Sequence, residues 1–208
     1  MTHPARVVQI AANEVGYTED PPGSNSTKYG EWYGMNHVPW CAIFVSYCFE
    51  QAGICLAIRT PKGFAYCPDG VRWFQVNTRW HSQPQVGDVV FYSWRGDGIA
   101  DHVGIVESLN ADGSIISIEG NTAIDNDSNG GEVMRRRRDP WSFLGFGRPY
   151  IIAESVPTPP IFQPQKEPEK QPEKEPTNSQ QQPNQGTKTA PEYHTNLINQ
   201  LLGKEKVT

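Results

Sequence analysis

The chain has 208 residues, room for one domain and an appendage, and a formal net charge of -5. Without a basic face, that balance argues against a nucleic-acid partner, and no run of 18 apolar residues predicts a transmembrane segment. Its four cysteines, at 41, 48, 55 and 67, lack the paired spacing of a zinc site.

The first 16 residues read as a short amphipathic helix with Val7, Val8, Ile10, Ala11 and Val15 toward the core, ending at Gly16. They lack the apolar centre of a signal peptide. Residues 17–37 have the Gly, Pro, Asn and Ser content of a loop, with one helical turn expected around Tyr29 to Tyr33. The aromatics of this loop suit either the wall of a cleft or a cover for the helix that follows.

Residues 38–53 are apolar nearly all round, with Pro39 where a helix starts and Gly53 where one stops, so a buried helix of about three turns is predicted. Cys41 falls in its first turn, where unpaired N–H groups and the helix dipole favour a thiolate. The competing reading is a small core residue. Cys48, two turns deeper, reads as core, and the thiols read as reduced. Residues 54–66 are loop-like, and Asp69 to Val76 reads as a further helix with Val71, Phe74 and Trp73 inward.

From Gln85 the period changes to that of strands. Strands are predicted over 86–94, 101–109 and 114–121, with closing strands over 132–138 and 145–152. Helices followed by an antiparallel sheet give an α+β fold. If the loop from Asn110 to Gly113 joins paired Leu109 and Ser114, His102 faces Asn121 and Gly104 faces Glu119. Alternation then sets His102, Glu119 and Asn121 on one sheet face, and a slip of one residue separates them. A thiol nucleophile needs a base, and the base a group that fixes its tautomer. Cys41, His102 and either Glu119 or Asn121 supply that set, with the Cys41 N–H as an oxyanion donor.

The segments Trp40-Cys41-Ala42-Ile43-Phe44-Val45-Ser46, Val86 to Phe91, Asp101 to Val106 and Ile118-Glu119-Gly120-Asn121 resemble, in that order, the CHAP domains (cysteine, histidine-dependent amidohydrolases/peptidases). The resemblance covers roughly residues 5 to 152. It implies a papain-like, NlpC-type fold and cleavage of a peptidoglycan amide bond, as an N-acetylmuramoyl-L-alanine amidase or a peptide endopeptidase. It implies Cys41 as nucleophile and His102 as base, with Glu119 and Asn121 completing the site. Trp40, Tyr29 and Trp94 are the candidates for substrate contact. Some members carry an acidic calcium loop before the cysteine; Asn25 to Trp32 lack its paired aspartates, so no metal or cofactor is expected. The alternatives are a non-catalytic wall-binding or scaffold module, or a bacterial wall-remodelling enzyme.

Arg135 to Arg138 read as a solvated strand edge, with attraction to anionic wall polymers as the alternative. The expected organisation is a catalytic domain over 1–153, a disordered Pro/Glu/Lys/Gln-rich linker over 154–191 and a short amphipathic helix over 192–208. That helix suits a protein partner, a membrane surface or itself. The expected setting is a phage lysin made in the host cytoplasm without a signal peptide and acting at the bacterial cell wall.

Overall fold

A computed structural model of the chain describes residues 2–127 and 129–150. The expected linker and C-terminal helix lie outside those residues. Helix α1 spans His3–Asn13, with Pro4 in its first turn, and buries Val7 and Ala11. Helix α2, Lys28–Tyr33, is capped by the Thr27 side chain accepting from the Gly30 N–H and ends at Gly34. Helix α3, Cys41–Gln51, buries Cys41 through Ser46 together with Cys48 and Phe49. A helix apolar on nearly every side has to be covered on nearly every side, and α1, α2 and the sheet all pack on it. Its large side chains, Phe44 and Phe49 among them, each contribute roughly 1.5–3 kcal/mol by burial.

Helix α4 spans Cys67–Val76, starting two residues before the predicted boundary because Pro68 is accepted in a first turn. Six strands follow: β1 (Trp80–His81), β2 (Val89–Tyr92), β3 (His102–Leu109), β4 (Ile115–Thr122), β5 (Glu132–Arg138) and β6 (Phe143–Gly147). They form one antiparallel sheet in the order β1-β6-β2-β3-β4-β5. The α+β layout therefore stands as read, although the two-residue β1 has no strand-length pattern in the sequence. The last strand starts two residues before the predicted boundary and ends at Gly147, ahead of Pro149, which has no N–H to continue the ladder.

The sheet separates two cores. Val89, Phe91, Val103, Ile105 and Ile118 face the helices. Val90, Tyr92, Val106, Ile115 and Phe146 form a smaller cluster on the other face. Gly120 lets α3 approach the first face, since a Cβ there would lie 2.7 Å from Phe44 and Trp40 side-chain atoms. His102 and Glu119 belong by alternation to the second face, and Cys41 meets His102 at the start of β3.

The β3–β4 hairpin differs from the expected one at its tip and agrees near the site. Leu109 pairs with Ile115, not Ser114, and Asn110 N–H donates to Ser114 O across a five-residue loop. An irregularity between Val106 and Ser108 absorbs the offset, so that Val106 pairs with Ser117 and Ile105 with Ile118. Continued toward His102, that register is the predicted one.

Candidate active site

Cys41 is the first residue of α3, behind Trp40 as N-cap. Its thiol lies 3.7 Å from that of Cys67, the first residue of α4. The Cys67 thiol is the main influence holding Cys41 well below the ordinary thiol range. Burial opposes this, while His102 and the Ala42 N–H act in the same direction. Cys67 moves the other way, held well above that range by its bond to Cys41 and by burial.

His102 is fully buried and places Nε2 3.0 Å from Glu119 Oε2. Because the Glu119 carboxylate is an acceptor, Nε2 is the donor and Nδ1 is left for the other side of the ring. Nδ1 is buried without a hydrogen bond of ordinary geometry, and the imidazole interacts with the Cys41 thiol. Burial opposes charge on the ring, yet Cys41 and Glu119 outweigh it and lift His102 to about 9. Thiol and imidazole are thus each biased toward the charged form.

Glu119 is fully buried, which disfavours its charge, but Arg138 and His102 overcome burial and hold it at about 2. Arg138 grips both oxygens, with Nε 2.9 Å from Oε1 and a terminal guanidinium nitrogen 2.6 Å from Oε2. Ser117 Oγ donates to Oε1 and itself accepts from the Tyr92 hydroxyl at 2.8 Å. Glu119 reaches His102 diagonally, across Gly104. A Cβ on Gly104 would stand 2.7 Å from Glu119 Cγ, so the glycine clears the path.

The second expected orienter is placed differently. Asn121 has a left-handed φ of 59°, which takes it out of strand alternation. Its Nδ2 donates to Asn129 Oδ1 at 3.0 Å and its Oδ1 accepts from Gly131 N–H. The side chain braces the 121–131 loop while Glu119 holds the imidazole.

Arg138 corrects the reading of 135–138 as a wholly solvated edge. The strand is an edge strand, and Arg135 and Arg137 are exposed on ion pairs with Glu107, Asp112 and Asp139. Arg138 instead turns inward, with its guanidinium 4.8 Å from the Trp94 ring centre and 5.5 Å from that of Tyr92. In the sequence, nothing sets Arg138 apart from the three arginines before it.

Two of the three substrate-contact candidates are also corrected. Trp40 and Tyr29 are fully buried, stacked with centroids 5.4 Å apart. The Tyr29 hydroxyl donates to Glu14 Oε2 and Trp40 Nε1 donates to Glu19 Oε2, so neither ring has a face for a ligand. Trp94 is half-buried, stacked on Tyr92 and 6.0 Å from the His102 ring. A cleft of about 300 Å³ opens over Cys41, walled by Pro39, Cys67, Tyr66, Arg95 and Ile99. Tyr66 is 60% and Ile99 51% exposed there, on segments that read in the sequence only as loop and turn.

The loop before α3 is not built for a cation. The Glu19 carboxylate is spent on the N–H groups of Gly23, Asn25 and Trp40, donors where a metal ion would need more oxygen. Among the described residues no group of three or more His, Cys, Asp or Glu side chains is arranged to hold a metal ion, and no helix is long and apolar enough to cross a membrane.

Comparison with known proteins finds structural likenesses and one family-model match. The chain is similar to the crystal structure of a wild-type endolysin, LysIME-EF1, at 17% identity over 74% of this chain and 67% of that one (TM-score 0.48). It is similar to an N-acetylmuramoyl-L-alanine amidase from Staphylococcus aureus, at 18% identity over 52% of this chain and 30% of that one (TM-score 0.37). The structure of Ly7917 is similar at 14% identity over 70% of this chain and 61% of that one (TM-score 0.43). The chain thus spans less than a third of the amidase. No curated protein sequence matches it. The CHAP domain family model matches residues 32–121, from α2 through Asn121. That match takes in Cys41, His102 and Glu119.

Proposed function

We propose that the chain is a peptidoglycan hydrolase that cuts an amide bond of the cell wall, with residues 1–153 as its catalytic domain. The observation that carries this reading is a thiol biased toward thiolate, at the floor of an open cleft, coupled to an imidazole whose far nitrogen is held by a buried carboxylate. That is the arrangement amide cleavage by a thiol requires.

Cys41 Sγ attacks the amide carbon. The carbonyl oxygen takes up the negative charge near the Cys41 N–H, which as the first helical N–H has no intrahelical acceptor. The His102 imidazolium gives its Nδ1 proton to the departing amine, leaving a thioester. Neutral His102 then takes a proton from water, which attacks the thioester carbon and releases Cys41. Glu119 keeps the ring oriented throughout, and Arg138 keeps Glu119 ionised inside the protein. Tyr66, Ile99 and Trp94 supply the surface against which a glycan or peptide chain lies. The setting we propose is a phage lysin acting at the bacterial wall.

Zymography of wild type beside Cys41→Ala on several purified cell walls tests this. Clearing by wild type and none by the variant is expected; equal clearing by both removes Cys41 from the reaction. Mass spectrometry of the released fragments identifies the bond: a freed lactyl carboxylate, with a stem peptide whose first alanine has a free amino group, marks an amidase, and a new carboxyl terminus within a stem or bridge peptide still joined to the lactyl group marks an endopeptidase.

A further inference from the structure

Amide hydrolysis needs one thiol, and this site has two. Cys41 and Cys67 come from separate helices, each as the first residue, and their sulfurs stand 3.7 Å apart. Both line the open cleft, and each is 6% exposed, so a small solute in the cleft reaches them. The remaining thiols are differently placed: Cys48 is fully buried in the core, and Cys55 is exposed beside Pro61. A disulfide holds its sulfurs about 2.05 Å apart, so the pair has to close by under 2 Å, roughly a side-chain torsion at two helix ends.

We propose that Cys41 and Cys67 form a reversible redox pair, which hydrogen peroxide converts to a disulfide and a dithiol restores. The two thiols divide the chemistry by charge. Cys41, the thiol biased toward thiolate, attacks peroxide: its S–O bond forms, the O–O bond breaks and hydroxide leaves. Cys67 then attacks the Cys41 sulfenic sulfur, the S–S bond forms and the S–O bond breaks. The Cys67 proton and the departing oxygen end as water. In sum, two thiols give two electrons and two protons to one peroxide, yielding one disulfide and two waters. A dithiol reverses this by exchange through a mixed disulfide. The device switches the nucleophile off and shields it, because a sulfenic acid without a neighbouring thiol goes on to the irreversible sulfinic acid. It depends on Cys41 being a thiolate and not on which bond the chain cuts.

The test treats the full chain with hydrogen peroxide, blocks remaining thiols and maps peptides without reduction. In wild type the expected product is a Cys41–Cys67 cross-linked peptide, lighter by about 2 Da than the two thiol peptides together. Dithiothreitol should remove the cross-link and restore wall clearing. In Cys67→Ser, at a peroxide dose raised until Cys41 is oxidised to the wild-type extent, the product should be Cys41 sulfinic acid, heavier by about 32 Da, with no recovery on reduction. Over-oxidised Cys41 in wild type without a cross-link overturns the proposal, as does a cross-link to Cys48 or Cys55. Recovery of Cys67→Ser as full as that of wild type overturns it too. If Cys67→Ser does not fold, the wild-type map decides alone. Because the map reads mass and not clearing, a failed hydrolase reading and a failed redox pair give different results.

Discussion

Glu119 is a charge in a place that resists charge, and the site depends on how that is resolved. Four donors converge on its two oxygens, from Arg138, His102 and Ser117. The Arg138 fork satisfies both oxygens at once, which a lysine ammonium cannot do. Replacing Arg138 by Met keeps much of its volume and leaves the carboxylate buried without its main counter-charge. The expected loss is about 3–5 kcal/mol, measured by urea unfolding, and a loss under 1 kcal/mol would show that His102 and Ser117 suffice. One proton further along, the thiol–imidazole pair sets the pH range of activity. Cys41 ionises well below its ordinary 9.0, so the acidic limb of kcat/KM should lie well below pH 9. The alkaline limb should fall near pH 9, where His102 loses the proton it gives to the leaving amine. An alkaline limb near 6.5, the ordinary imidazole value, would mean that Glu119 and Cys41 do not hold the proton on His102.

The hairpin of β3 and β4 shows how a pattern can be legible and its arithmetic still need the structure. Alternation put His102 and Glu119 on one face, and the observed pairs Ile105–Ile118 and Val106–Ser117 carry that register. At the tip the observed pairing differs by one residue from the expected one because Ser114, closed by Asn110 and Asp112, belongs to the turn. Glu107, the extra residue between Val106 and Ser108, cancels the offset before it reaches the site. Strand spacing carries no mark of such a compensation, since a bulge is a local backbone choice. Asn121 was legible as a neighbour of His102 but not as a loop brace, because its positive φ follows from contacts with residues ten positions away. Gly104 was legible as a gap, and the gap makes a prediction for these two strands. Gly104→Ala inserts a Cβ 2.7 Å from Glu119 Cγ and 3.1 Å from the Ile118 carbonyl oxygen. Glu119 must lean away from His102, so kcat should fall at least about 10-fold, one hydrogen bond's worth, with KM nearly unchanged. A fall in thermal stability with kcat intact would separate strand packing from imidazole orientation.

At the scale of the molecule, the parts the sequence conveyed are those with a period, and the parts it hid are those made by meeting. The all-apolar stretch after Trp40 had to be a buried helix, and five β-rich stretches had to be a sheet. By contrast, the cleft walls Tyr66 and Ile99 and the second thiol Cys67 lie on loops or at a helix start, where no repeat says what they will face. Trp40 and Tyr29 lie in the core and not the cleft, a choice composition does not make, since an aromatic beside a reactive residue serves either. The buried Glu119 network ties the two scales together, because it joins β3, β4 and β5 and so couples the charge state of the site to folding. Glu119 has a folded pKa of about 2 against an ordinary 4.5. Its pKa is depressed, so its contribution is fully present above pH 4.5 and is lost as pH falls from there toward 2. Glu119→Gln mimics the protonated acid and removes that contribution at every pH. Wild type should therefore exceed Glu119→Gln in melting temperature by a constant margin near pH 6, and the margin should shrink below pH 4.5 as the wild-type carboxylate takes up its proton. Melting curves of both proteins from pH 2 to pH 6 measure it, and the comparison cancels exposed acids such as Asp112 that titrate alike in the two. A margin unchanged down to pH 2 would mean that Glu119 is not the proton-linked member of the network.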